Sequence, residues 1–329
     1  MKKIRVIAIS AFFVLGLGGL IFWLSSQKES ANEFAKKELE IGYFSRAIGY
    51  APYFVAQELG WFDDHPALSN LKISHTIYGD RATIADSFDS GKLDVLLSAE
   101  IPAIMCRAQG NDVRIVAVTG LITLHWLTQS NIRPDEMKSL AGKTVAYQSG
   151  TSSHYGLLTT LDNAKLDKSL YNLRNMKAVE AKTAFETGSL DAWVVWSPFF
   201  EQQIVNGKGA IVPDSKYNYT TVMTVSNSFR QENPEIVTAL EEILDRAKRW
   251  IPANMEHAEK IVAKSTGQTD EVAREALKNV DFSANLSPEI VDMFQGMAQF
   301  LAENNAVRQG LIVDIRKDMI SPDDIKRQQ

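Results

Sequence analysis

Strand-like and helix-like stretches alternate along this chain from residue 39 to residue 212, and that alternation restricts its fold more than any other feature. Residues 39–44 read as a strand. Pro52 then suits the first turn of a helix whose apolar stripe, Tyr53, Val55, Ala56 and Leu59, stops at Gly60. A strand over 71–78 leads to a helix over 82–90 closed by Gly91. A strand over 93–97 leads to a helix that opens at Ser98-Ala99-Glu100-Ile101-Pro102 and ends near Gly110. Strand-like runs follow at 113–119 and 121–128. A second series has strands at 144–147, 173–176 and 192–195, helices from Thr151, over 179–187 and over 199–205, and further sheet material at 211–212 and 220–225. This pattern predicts an α/β fold with mainly parallel sheets covered by helices on both faces. Residues 233–305 are instead helical, with starts at Asn233-Pro234-Glu235, Thr269-Asp270-Glu271 and Ser287-Pro288-Glu289, each joining a cap residue or N1 proline to an early acid.

With 45% hydrophobic and 23% charged residues over 329 positions, the chain has ample material for a packed core and no mark of disorder. Residues 1–5 (MKKIR) are basic and 6–24 almost wholly apolar, which predicts that residues 1–27 are an export signal or an N-terminal membrane anchor. Bulky Trp23 and Leu24 stand where a cleavage site needs small residues, so both outcomes are kept. Residues 28–37 (KESANEFAKK) read as a linker. The basic leader places the body outside the cytoplasmic membrane. Without Lys2, Lys3 and Arg5 the net charge moves from −5 to −8, and nothing points to nucleic acid. Cys106 is the only cysteine, so no internal disulfide can form; with five scattered His residues it gives a metal cluster no support, and no cofactor is expected.

The stretch 140–155 (LAGKTVAYQSGTSSHY) is a strand, a turn and a helix start. Small hydroxyl residues leave the first backbone N–H groups of that helix open to an anion, or serve as ordinary caps. Gly142-Lys143-Thr144 is not a phosphate loop, because Met137 stands where the first glycine is required and the Lys precedes the strand. In open α/β sheets ligands bind beyond the carboxyl ends of strands. Here those exits are Ser45-Arg46, Gly79-Asp80-Arg81, Ser98-Ala99-Glu100, Gln148 to Ser153 and Trp196-Ser197.

Several stretches resemble the periplasmic substrate-binding proteins of ABC importers for aliphatic sulfonates and taurine, in the group that includes nitrate and thiamine-precursor binders. They are Leu140-Ala141-Gly142-Lys143-Thr144-Val145-Ala146 with Gly150 to Tyr155, Ala184 to Trp193 continuing to Trp196-Ser197-Pro198, and, more weakly, Ile41-Gly42-Tyr43, Ser90 to Val95 and the Pro234 helix. The resemblance covers residue 39 to the C-terminus. It implies a two-lobed periplasmic-binding-protein-like fold of type II with the ligand cleft between lobes, one lobe of residues 38–123 plus 225–329 and the other of 124–224. It further implies a monomeric, non-enzymatic periplasmic protein, tethered if its leader is uncleaved, that passes a small anionic or zwitterionic solute to an ABC permease. An anchored sensor domain and an enzyme like the thiamine pyrimidine synthases are the alternatives; those enzymes carry a cysteine-rich stretch that this chain lacks.

In family members hydroxyls and N–H groups at helix starts hold the anionic head, which here implicates Thr151, Ser152 and Ser153. The remaining candidates are Ser45, Arg46, Tyr50, Asp80, Ser98, Glu100, His154 and Trp196. Trp196 either covers the ligand or packs in the core; His154 either donates to an anion or faces solvent. Arg46 pairs with an anion or lies on the surface, and one of Tyr50 and Tyr53 lines the cleft. Glu100 departs from the small polar run usual in sulfonate binders. It either complements its helix dipole or favours a ligand with a cationic end, such as taurine.

Overall fold

The computed structural model describes residues 37–79, 81–304 and 312–327. The leader and most of the linker therefore lie outside the described residues, and no described helix is long and apolar enough to cross a membrane.

The strands are β1 (Glu38–Phe44), β2 (Lys72–Tyr78), β3 (Val95–Ala99), β4 (Val113–Leu124), β5 (Leu127–Gln129), β6 (Thr144–Tyr147), β7 (Asn172–Asn175), β8 (Ala192–Trp193), β9 (Gly209–Ile211), β10 (Tyr217–Ser226) and β11 (Val280–Asp281). Among the described residues they form a six-stranded sheet in the order β11-β4-β10-β3-β1-β2 and a five-stranded sheet in the order β7-β6-β8-β5-β9. Residues 39–329 belong to one contact unit.

Parallel pairing holds for β1 with β3, and for β6 with β7 and β8. The expectation of mainly parallel sheets fails in both sheets: β10 runs antiparallel to β3 and β4, β11 to β4, and β5 to β8 and β9. The runs 113–119 and 121–128 also do not separate at Gly120, because β10 pairs along the whole of β4, from Ser226 opposite Val113 to Tyr217 opposite Leu124. Gly120 marks a close approach instead: a Cβ there would stand 2.6 Å from Val280 Cγ1 on β11. Residues 217–224, expected in the second lobe, lie with the rest of β10 in the larger sheet.

The central strands of that sheet are buried on both faces, whereas the edge strand β2 is largely exposed. Leu97, Val116 and Met223 point into one apolar cluster, while their neighbours Leu96, Ile115 and Val222 point into another with Ile104, Phe294 and Leu301. Period-two alternation with apolar residues at both phases is what two layers of covering helices require. The expected helix starts are present: the Thr269 side chain accepts from Val272 N–H and that of Ser287 from Ile290 N–H.

Candidate functional site

A narrow hollow of about 20 Å³ opens where strand ends of the larger sheet meet the loops of the smaller one. The end of β1 supplies Phe44, Ser45, Ala47 and Tyr50; β3 and its following helix supply Ala99 and Pro102. Thr151 and Ser152 come from the start of the Ser152–Asn163 helix, Trp196 from the loop after β8, and Tyr219 and Thr221 from β10. None of these side chains is charged. Aromatic faces and hydroxyl groups make up most of the wall, which suits a small solute with a polar head and a short apolar part.

The helix start has the geometry that leaves donors open. Gly150 takes the left-handed conformation (φ 72°), which lets the chain turn sharply from β6. Thr151 is extended (φ −130°), and its hydroxyl donates back to Gln148 O at 2.7 Å rather than capping the helix. The twelve-residue helix thus begins with no side-chain cap, and Thr151 and Ser152 at that end form part of the wall. The positive end of a helix dipole together with unused N–H groups is an anion site.

Five of the candidate residues, Ser45, Tyr50, Thr151, Ser152 and Trp196, are brought together around this hollow. Ser45 itself is held at φ 68°, uncommon for a residue other than glycine. Tyr50 is anchored by its hydroxyl, which donates to Phe44 O at 3.1 Å, and Trp196 meets Phe199 edge to face. Tyr53 packs away from the hollow, with its hydroxyl 2.7 Å from His75 Nε2. The Ser197–Pro198 peptide is cis.

The others go elsewhere. Arg46 is exposed and donates to Ser265 O at 3.2 Å. Ser98 is buried with its hydroxyl donating to Ala99 O. Ser153 is buried, accepting from Gln148 N–H at 3.2 Å and donating to Val194 O, so it ties the turn to the loop that carries Trp196. His154 stacks on Tyr147 at 5.1 Å and its Nδ1 accepts weakly from Gly150 N–H; burial pushes its pKa down, so the ring is neutral. Asp80 lies outside the described residues.

Glu100 is 0% exposed and stands behind the wall, between Ala99 and Pro102. Its Oε2 accepts from Thr220 N–H at 2.7 Å and from Thr220 Oγ1 at 2.9 Å, while Oε1 has no hydrogen-bond partner. Burial pushes its carboxyl up to about 7.

The chain matches the NMT1/THI5-like family model over residues 48–258. It belongs to that family. A Bacillus subtilis (strain 168) protein named for binding aliphatic sulfonates is 24% identical over 99% of this chain and 97% of its own length. Two solved structures share the fold. The periplasmic aliphatic sulphonate binding protein SsuA of Escherichia coli has a TM-score of 0.74 at 21% identity, over 87% of this chain and 98% of its own. The alkanesulfonate-binding protein SsuA of Xanthomonas axonopodis pv. citri, bound to MOPS, has a TM-score of 0.70 at 19% identity, over 84% and 97%. The two-sheet α/β architecture is thus that of the periplasmic binding proteins, and the resemblance noted from residues 140–155 and 184–198 is borne out at the level of the family.

Tyr219 and Thr221 were missed by sequence reasoning, as were Phe44, Ala47 and Pro102, while Ala99 was noted only as part of a strand exit. The run 220–225 reads simply as sheet, and an antiparallel strand inserted between β3 and β4 leaves no local mark. Among the described residues no group of three or more His, Cys, Asp or Glu is placed to hold a metal.

Proposed function

We propose that this protein is the extracytoplasmic solute-binding component of an ABC importer, that it captures a small sulfonate in the hollow and that it delivers it to a membrane permease. The observation that carries this reading is the uncapped start of the Ser152–Asn163 helix at a hollow whose lining, among the described residues, holds no cation. Neutral hydroxyls and backbone N–H groups bind a fully ionised, weakly basic anion without a proton of their own to give up. Phe44, Trp196 and the Tyr50 and Tyr219 rings flank the apolar part of the solute. Membership of a family that includes proteins named for sulfonate binding supports the same class of ligand.

In this reading the two sheets are the cores of two lobes, and closure between them traps the solute. We draw the boundaries at the β4 to β5 and β9 to β10 connections. The body acts as a monomer outside the cytoplasmic membrane, tethered to it where residues 1–27 are retained; the mature N-terminus of protein isolated from its source membrane tests the tether.

Thermal unfolding of residues 28–329 with ethanesulfonate, taurine, nitrate and a pyrimidine tests the ligand class. A sulfonate at 100 times its dissociation constant stabilises by about 2.7 kcal/mol. A shift with nitrate or the pyrimidine and none with either sulfonate would sink the assignment.

A further inference from the structure

We propose that capture of an anionic solute in the hollow is coupled to uptake of one proton by Glu100, an inference that rests on the sulfonate reading above. Glu100 is adjacent to the hollow on two elements at once. On its own segment Ala99 and Pro102 line the wall; on β10 the residue that holds it, Thr220, lies between the lining residues Tyr219 and Thr221. Its carboxyl is fully buried, and Oε1 has no hydrogen-bond partner. A buried carboxylate with one oxygen unpaired is costly, and a second negative charge held in the adjoining hollow raises that cost, because little solvent screens the pair. Protonation removes both penalties.

Apart from the backbone N–H at the start of its own helix, the groups facing Glu100 among the described residues supply no compensating positive charge. They are phenols: Tyr50 from the segment after β1, Tyr155 from the Ser152–Asn163 helix and Tyr219 from β10. On its own helix Arg107 is in the last turn and pairs with Asp112 at 2.8 Å. Beyond Tyr219 stands a second buried acid, Glu201, whose Oε1 accepts from Ser197 Oγ and Asn279 Nδ2, each at 2.7 Å, and whose Oε2 has no partner. Burial raises the pKa of this carboxyl too. Because burial pushes the Glu100 carboxyl up to about 7, the proton is gained or lost near neutral pH. His154 lies near the helix start, but burial pushes its pKa below the usual value, so its own titration belongs to more acidic solutions.

Calorimetric titration of the 28–329 body with ethanesulfonate, in two buffers of different ionisation enthalpy across neutral pH, decides the matter. The heat depends on the buffer in the sense of proton uptake, and affinity falls by up to about tenfold per pH unit as pH rises above neutrality. Glu100→Gln abolishes both effects and binds with a flat profile. Thr220→Val, which removes the hydroxyl donor that favours the ionised form, moves the fall in affinity to higher pH and covers the case in which Glu100→Gln does not fold. Buffer-independent heat with a flat profile in the parent overturns the proposal. So does a pH profile that survives Glu100→Gln and disappears in Glu201→Gln or His154→Gln. Absence of ethanesulfonate binding at every pH in both parent and Glu100→Gln removes the sulfonate reading, and this coupling with it.

Discussion

The hydroxyl of Tyr219 accepts the backbone N–H of Ser197 at 3.2 Å, which links a strand of the six-stranded sheet to the loop that presents Trp196. Both Tyr219 and Trp196 line the hollow. Tyr219→Phe therefore leaves a buried N–H without its partner and costs about 1–3 kcal/mol in unfolding free energy by denaturant titration. It also loosens the Trp196 loop, so sulfonate affinity falls in calorimetry even though the ring is kept. Unchanged affinity with lowered stability would make the bond purely structural.

Ser152 and Ser153 are neighbours with different duties. Ser152→Ala weakens sulfonate binding by about 1.5–3 kcal/mol, the usual worth of a hydrogen bond to a charged group, and leaves the melting temperature unchanged. Ser153→Ala does the reverse, because its hydroxyl joins Gln148 N–H to Val194 O inside the protein. Calorimetry and thermal unfolding on the two single variants separate these effects; equal affinity in Ser152→Ala and the parent would remove Ser152 from the site.

Glu100 makes folding stability depend on pH. Its carboxyl lies at about 7 in the folded protein against an ordinary 4.5, so the folded state holds a proton that the unfolded chain has released. That contribution is complete below about pH 4.5 and is lost as pH rises through about 7, a span worth roughly 3 kcal/mol. Urea unfolding at several pH values should show Glu100→Gln gaining on the parent as pH rises through that window. A constant difference between the two proteins across it would refute the assignment.

Gly156 lies inside the Ser152–Asn163 helix, where alanine ordinarily stabilises by about 1 kcal/mol. Here an added Cβ would stand 2.6 Å from the Tyr217 ring, whose hydroxyl is held by Val195 O at 2.8 Å. Gly156→Ala is expected to destabilise by about 1–3 kcal/mol through overpacking. A melting temperature above the parent's would show that Tyr217 yields freely.

By itself the sequence determined the local elements and, through residues 140–155 and 184–198, the family. The Thr144–Tyr147 strand, the Gly150 turn and the Thr269 and Ser287 helix caps depend on periodicity and hydrogen bonds closed within a few residues, so a short window contains their cause. The five candidate residues that meet at the hollow are legible for the same reason, since each stands just beyond a strand or at the start of a helix. Only the tertiary structure decided that β4 runs unbroken through Gly120, because its partner β10 lies about a hundred residues further along. It alone set Glu100 against Thr220, 120 positions away, Ser153 against Val194, 41 away, and Arg46 against Ser265, 219 away. A polar side chain at a strand exit can bond a ligand, the solvent or a distant backbone group. Which it does depends on what the packed chain brings within about 3 Å, and no window of sequence contains that distance.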